Sequence, residues 1–178
     1  MTTIDLRFMT AAAIAFMVFS AACSTTSLRV DDQAAPQTLD YDALIAAPSK
    51  PPSSVRARLV QVAQSYEHEA ARPTHLPKKF DCTAFVFSVY REAAQISLPR
   101  RAHDQVQIGD PIAPVELQQG DLIYFTVPGT RFLHVGLYVG DGRFIHAPGS
   151  HGLVQTESLG TEIWRARFMG ARRILPLS

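Results

Sequence analysis

The segment FDCTAFV, residues 80–86, holds one of the two cysteines of the chain and starts a helical pattern. Asp81 is a good N-cap residue, and apolar residues follow at helical spacing along one face: Phe85, Val86, Val89, Tyr90 and Ala93. Cys82 is therefore expected in the first helical turn, where unpaired N–H groups and the helix dipole favour a thiolate. The pattern predicts a reactive cysteine with a lowered pKa. A buried, inert cysteine remains the alternative.

The second half of the chain has the pattern of a β-sheet. Short apolar or alternating segments are separated by glycine and proline, at residues 121–125, 135–139, 143–147 and about 164–175. An earlier helix is predicted over residues 54–69, so helices precede strands. The fold class is therefore α+β, with N-terminal helices packed on an antiparallel β-sheet.

Two histidines lie in neighbouring segments of this sheet. His134 begins HVGLYVG, and a three-residue loop at residues 140–142 would place His146 opposite Gly136. The two histidines would then share one face of the sheet with Cβ atoms about 7 Å apart. His146 would hydrogen-bond a ring nitrogen of His134 and set its tautomer. A two-residue loop would put them on opposite faces, leaving His146 an ordinary surface residue.

The N-terminus has the features of an export signal. Residues 1–22 contain Arg7, an apolar stretch too short to span a bilayer, and small residues before Cys23. This arrangement resembles the lipobox of bacterial lipoproteins, which favours lipidation of Cys23 over simple cleavage after Ala22. Residues 23–53 are predicted to be a flexible linker, and residues 54–178 a single folded domain. The protein is expected to be exported and lipid-anchored in the cell envelope, at the outer membrane facing the periplasm.

Composition and charge exclude other classes. The formal net charge is +1, so nucleic acid is not expected as a partner. No pair among the six histidines has the helical spacing of a zinc peptidase, so neither a metal nor another cofactor is predicted. If Cys23 carries lipid, Cys82 has no partner within the chain for a disulfide, and a lone thiol with a distant histidine suggests a nucleophile and its base.

Several motifs occur together in a fixed order. They are FDCTAFV (80–86), LPR (98–100), Gln105, GDLIYF (120–125), HVGLYVG (134–140) and FIHAP (144–148). In order and spacing they resemble the NlpC/P60 cell-wall peptidases. The resemblance implies a papain-like fold in which Cys82 is the nucleophile, His134 the base and His146 the residue that orients it. Arg100 is expected to pair with a substrate carboxylate.

The resemblance also implies a substrate. It indicates a cysteine endopeptidase that hydrolyses peptidoglycan stem peptides through a thioacyl intermediate, at the γ-D-glutamyl to diaminopimelate bond. The lipid would supply the membrane contact, and a regulatory protein is left open. The chain lacks the tyrosine and glycines that the family carries before the cysteine, and Tyr66, His68 and His75 are the nearby candidates to bind the oxyanion. A catalytically inactive wall-peptide-binding lipoprotein, and a Cys-His amidase or acyltransferase of the same fold, are the alternatives.

Overall fold

The computed structural model describes residues 37–47, 53–68, 81–148 and 153–175. The helices in these ranges are α1 (Tyr41–Ala46), α2 (Ser54–His68), α3 (Cys82–Ala94), α4 (Ala102–Gln105) and α5 (Glu162–Arg167), with a 3-10 turn at Pro114–Glu116. None of the helices in this part of the chain is long and apolar enough to cross a membrane.

The strands in the same ranges form one six-stranded sheet. They are β1 (Asp110–Ile112), β2 (Leu122–Thr126), β3 (Leu133–Gly140), β4 (Arg143–His146), β5 (Gln155–Ser158) and β6 (Phe168–Arg173). Their order is β1-β6-β2-β3-β4-β5, and each neighbouring pair is antiparallel. The predicted α+β class, with helices on an antiparallel sheet, is confirmed.

Helix α3 begins where its sequence predicts. Asp81 has extended backbone, and its carboxylate accepts the Ala84 N–H at 2.9 Å and the Thr83 hydroxyl at 2.7 Å. The helix ends because Gln95 takes the left-handed conformation, with φ 59°. The cap therefore makes Cys82 the first helical residue.

The two faces of the sheet have separate apolar layers, since successive side chains of a strand point to opposite faces. The face with Val135 and Leu137 packs against α2 and α3, where Phe85 is fully buried. The other face carries Phe144 and is covered in part by Trp164 of α5. The predicted apolar set of β3 thus faces the helices.

The segment before α2 departs from the flexible linker predicted for residues 23–53. Asp40 caps α1 by accepting the Ala43 N–H at 3.0 Å. Leu39 and Leu44 are buried against the second face of the sheet. Residues 37–47 are therefore part of the packed domain, because these leucines remove apolar surface from water. The predicted signal segment, Cys23 and the start of the linker lie outside the described residues.

The β3–β4 hairpin differs from the prediction in its loop. Asp141 and Gly142 form a two-residue turn in which both have positive φ, 51° and 62°. Gly140 pairs with Arg143, and a bulge lies between Tyr138 and Gly140. The predicted three-residue loop is therefore wrong.

The predicted register is nevertheless correct, because the bulge adds one residue to β3. Leu137 pairs with Ile145, and continuing this register places His146 opposite Gly136. His134 and His146 consequently share a face of the sheet, as the sequence predicted.

The last part of the chain differs more from its predicted structure. The strand predicted over about 164–175 is divided, because the Thr161 side chain caps a short helix and only Phe168–Arg173 is strand. Strands β1 and β5 were not predicted, since each is short and β5, with the sequence QTES, has no apolar alternation.

A buried ion network joins α2 to the sheet. Asp121, fully buried directly before β2, accepts from Arg173 Nη2 at 2.6 Å and Nε at 2.9 Å. Arg56 Nη1 of α2 lies 3.3 Å from the same carboxylate, and the Gln118 N–H donates to it at 2.9 Å. Four donors thus surround one carboxylate, as a buried charge requires.

Candidate active site

The thiol of Cys82 is half-buried where α3 meets the sheet. Burial raises its pKa, an effect that the Val135 N–H opposes and the Asp81 carboxylate reinforces. The Thr83 and Cys82 N–H groups also favour the thiolate, as a helix N-terminus should. Burial prevails, so the lowered pKa predicted from the helix position is wrong and the resting form is the thiol.

The thiol is close to the strand that carries the first histidine. The Val135 N–H, which interacts with the Cys82 sulfur, belongs to the residue after His134. Helix α3 reaches β3 through its apolar face, with Phe85 and Val135 in one cluster. The packing of α3 on the sheet therefore brings the predicted nucleophile to the beginning of β3.

The two predicted histidines are hydrogen-bonded. His134 Nε2 and His146 Nδ1 are 2.7 Å apart, and the rings are nearly perpendicular at 84°. His146 is completely buried, whereas His134 is half-buried. The predicted contact between the rings is confirmed, while the catalytic roles of Cys82, His134 and His146 stay predictions.

A carboxylate that the sequence analysis did not identify continues this chain of contacts. Glu157 of β5 places Oε1 3.2 Å from His146 Nε2 and 2.6 Å from Gln155 Nε2. Its other oxygen accepts the indole N–H of Trp164. Three side-chain nitrogens therefore meet one carboxylate behind the second histidine.

Aromatic rings enclose the imidazoles. The Trp164 ring stacks on His134, with centroids 5.8 Å apart and planes at 26°, and meets His146 edge-on at 5.1 Å. Phe125 and Phe144 complete this wall. Gly136 allows the close packing, because a Cβ there would lie 2.7 Å from the Phe144 ring.

This enclosure changes the protonation of both rings. The pKa of His134 is lowered to about 4, first by burial and then by the neighbouring His146, while Glu157 opposes the shift. Burial also lowers the pKa of His146, against the opposing effect of Glu157. Both imidazoles are therefore neutral at pH 7, and a neutral imidazole has one nitrogen that accepts a proton.

The remaining candidates lie elsewhere. The exposed Arg100 guanidinium lies 4.1 Å above the Phe87 ring of α3, so its substrate role stays a prediction. The Tyr66 hydroxyl donates to Glu92, ten residues or about 15 Å along α3 from Cys82. Tyr66 is consequently part of the core, where its ring meets Phe85 edge-on, and a role at the oxyanion stays a prediction. Cys23 and His75 lie outside the described residues.

The residues missed by the sequence analysis had a weak signal. Glu157 and Gln155 alternate in QTES, so they share a face, and β5 pairs with the strand that carries His146. Without β5 itself, nothing in the sequence directs Glu157 or Trp164 to the histidines. Within the described ranges, no group of three or more histidine, cysteine or acidic side chains could hold a metal ion.

Comparisons with known proteins identify the family of this chain. The model of the NlpC/P60 family matches residues 63–173. Murein DD-endopeptidase MepH of Escherichia coli is 37% identical over 99 residues, 54% of this chain and 36% of that protein. The gamma-DL-glutamyl hydrolase of Bacillus subtilis is 38% identical over 95 residues, 53% of this chain and 23% of that protein.

Solved structures give the same result. An NlpC/P60 protein from Bacillus cereus matches with a TM-score of 0.57 and 28% identity, over 73% of this chain and 42% of that one. The chain spans about half or less of the length of these relatives. Because the family model covers more than half of the chain and the fold agrees, the chain belongs to the NlpC/P60 family.

Proposed function

We propose that this protein is a cysteine endopeptidase that hydrolyses peptide bonds of peptidoglycan stem peptides. The observation that supports the proposal most is the hydrogen-bonded pair of neutral imidazoles, His134 half-buried and His146 buried, near the Cys82 thiol. Relatives named as a murein endopeptidase and a glutamyl hydrolase point to the same substrate class.

The chemistry follows from a neutral starting pair. His134 takes the proton of the Cys82 thiol while the sulfur attacks the substrate carbonyl, and the N–H groups at the start of α3 bind the developing oxyanion. His134 then gives this proton to the departing amine, and the C–N bond breaks to leave a thioester. Water, deprotonated by His134, hydrolyses the thioester and regenerates the thiol.

The sequence supports a location for this reaction. The signal-like residues 1–22 and the lipobox-like Cys23 would export the enzyme and attach it by lipid to the outer membrane, facing the periplasm. The γ-D-glutamyl to diaminopimelate bond is the proposed point of cleavage. The exposed Arg100 is the proposed partner of a substrate carboxylate.

The test compares the complete chain, purified in mild detergent, with its Cys82→Ala variant. Each is incubated with peptidoglycan fragments of known stem and cross-link composition, and products are identified by mass spectrometry. Cys82-dependent cleavage within the stem is the expected result. Cleavage only at D,D cross-links would replace the proposed bond, and binding without cleavage by the wild type would overturn the enzymatic proposal.

A further inference from the structure

We propose that Glu157 is a positioning residue for the base, whose carboxylate fixes the tautomers of both histidines so that His134 presents an unprotonated Nδ1 to Cys82. The relay would then have four members: Cys82, His134, His146 and Glu157. This inference deepens the proposed function, and only its turnover measurement depends on that function.

The first reason is the set of donors around Glu157. His146 Nε2 and Gln155 Nε2 lie 3.2 Å and 2.6 Å from Oε1, and Trp164 Nε1 donates to Oε2. The Trp164 indole can only donate, and only an ionised carboxylate accepts at both oxygens without donating. Burial alone would raise the pKa of Glu157, but the bonds from Trp164 and His146 outweigh it and lower this pKa.

The tautomers follow in sequence from that carboxylate. Because Glu157 accepts, His146 Nε2 carries hydrogen, and the neutral ring leaves His146 Nδ1 as an acceptor. His134 Nε2, 2.7 Å away, must then be the donor. A neutral His134 with hydrogen on Nε2 has its lone pair on Nδ1. The carboxylate thus determines which nitrogen of His134 is the base, two hydrogen bonds away.

The same carboxylate acts on charge during the reaction. When His134 takes the thiol proton, a buried imidazolium forms in a site where burial opposes it. The charge of Glu157 favours that cation, through His146, and it already raises the pKa of His134. Two residues act on His134 by charge: Glu157 raises its pKa and His146 lowers it.

Trp164 contacts both Glu157 and His134, the proposed base. Its N–H donates to Glu157 while its ring stacks on His134. Trp164 is held in place by α5, whose first turn Thr161 caps. One side chain therefore orients both the carboxylate and the ring that takes the proton.

Glu157→Gln is the decisive variant because it keeps the shape and removes the charge. If the amide NH2 faces Trp164, two donors meet. If it faces Gln155 and His146, it meets the Gln155 donor, and His146 must change tautomer to accept from it. Glu157→Asp keeps an ionised acceptor. Glu162→Gln, at an exposed position of α5, is the matched control for the same chemical change.

Three measurements are made on the complete chain. Long-range nitrogen–proton NMR spectra report the protonated nitrogen of each imidazole, and Cys82 alkylation by iodoacetamide is followed against pH without any substrate. Turnover of peptidoglycan fragments is the third. We expect Glu157→Gln to lower the alkylation rate at pH 7 and kcat by about 10- to 100-fold, with altered tautomers and little change in KM. Glu157→Asp should restore part of the rate, and Glu162→Gln should match the wild type.

Unchanged tautomers and alkylation in Glu157→Gln would overturn the inference, even if thermal stability or turnover falls. Altered tautomers and slower alkylation would support it whether or not the wild type cleaves peptidoglycan. Failure of the proposed function alone would appear as a wild-type protein with normal alkylation and no cleavage.

Discussion

Two carboxylates of this protein are each surrounded by nitrogen donors, yet their partners differ in kind. Asp121 lies between the guanidinium groups of Arg56 and Arg173. Glu157 lies among an imidazole, an amide and an indole, all neutral at pH 7. Asp121 is fully buried, whereas the Glu157 side chain is 32% exposed.

The difference teaches what each carboxylate can do. A carboxylate between two guanidinium groups holds elements together, and Asp121 joins α2, β2 and β6 in this way. A group whose partner is an imidazole also determines where a proton lies. Changes at Asp121 should therefore alter stability, and changes along the Glu157 relay should alter chemistry.

The largest effect is expected at the base. His134→Ala removes the group proposed to take the thiol proton, so kcat should fall by about 10³- to 10⁴-fold. The thermal midpoint at pH 7 should change little beyond the loss of ring packing. Single-turnover kinetics and thermal unfolding check both points, and wild-type turnover would show that another group is the base.

The next effect tests the other carboxylate. Asp121→Asn leaves two buried guanidinium groups without their counter-charge, so the free energy of unfolding should fall by about 3 to 5 kcal/mol. Urea unfolding measures it, with the exposed Asp104→Asn as control. Turnover per folded molecule should be unchanged; a specific loss of kcat would show that Asp121 also acts in the chemistry.

A pH dependence separates the two networks further. The pKa of His134 is about 4 in the folded protein, against 6.5 for an ordinary histidine, so only the unfolded chain binds the proton between these values. Stability should therefore fall as the pH drops from 6.5 to 4, by roughly 3 kcal/mol from this residue. Urea titrations across this range should show a shallower slope for His134→Ala. An equal slope would contradict the lowered pKa.

Trp164→Phe tests the hydrogen bond that holds Glu157 in the relay, with a smaller change. The ring that stacks on His134 remains, but one donor to Glu157 is lost, so kcat should fall several-fold and less than in Glu157→Gln. Turnover and alkylation of Cys82 provide the measurement. A loss larger than that of Glu157→Gln would assign the main role to the indole itself.

The smallest effect is expected at Arg100. If this exposed residue pairs with a substrate carboxylate, Arg100→Ala should raise KM a few-fold and leave kcat unchanged, because surface ion pairs contribute about 1 kcal/mol or less. The neighbouring exposed Arg101→Ala is the matched control. Equal KM values for both variants and the wild type would remove Arg100 from the proposed site.

The sequence patterns predicted most of the framework. The capped helix that begins at Cys82, the helix over residues 54–68 and strands β2, β3 and β4 all have short-range signals of capping, periodicity and turn residues. The prediction failed where those signals are weak. A two-residue turn with a bulge replaced the expected loop, and polar QTES became a strand because β4 offers it a partner edge.

The same distinction between strong and weak local signals applies to the candidate site. Cys82, His134 and His146 were identifiable because each belongs to a local motif with its own spacing. The pKa values of these side chains, and Glu157 as the proposed fourth member of the relay, could not be identified from the sequence. Burial raises the pKa of Cys82 against the helix N-terminus, and Glu157 reaches His146 only through the pairing of β5 with β4.

Local patterns in the chain thus specified most of the elements and the candidate catalytic side chains, because capping, periodicity and motif spacing act over a few residues. The tertiary structure set the protonation of those side chains and placed Glu157 in contact with His146. Desolvation and hydrogen bonding between distant residues depend on what packs around each group, which no short segment contains.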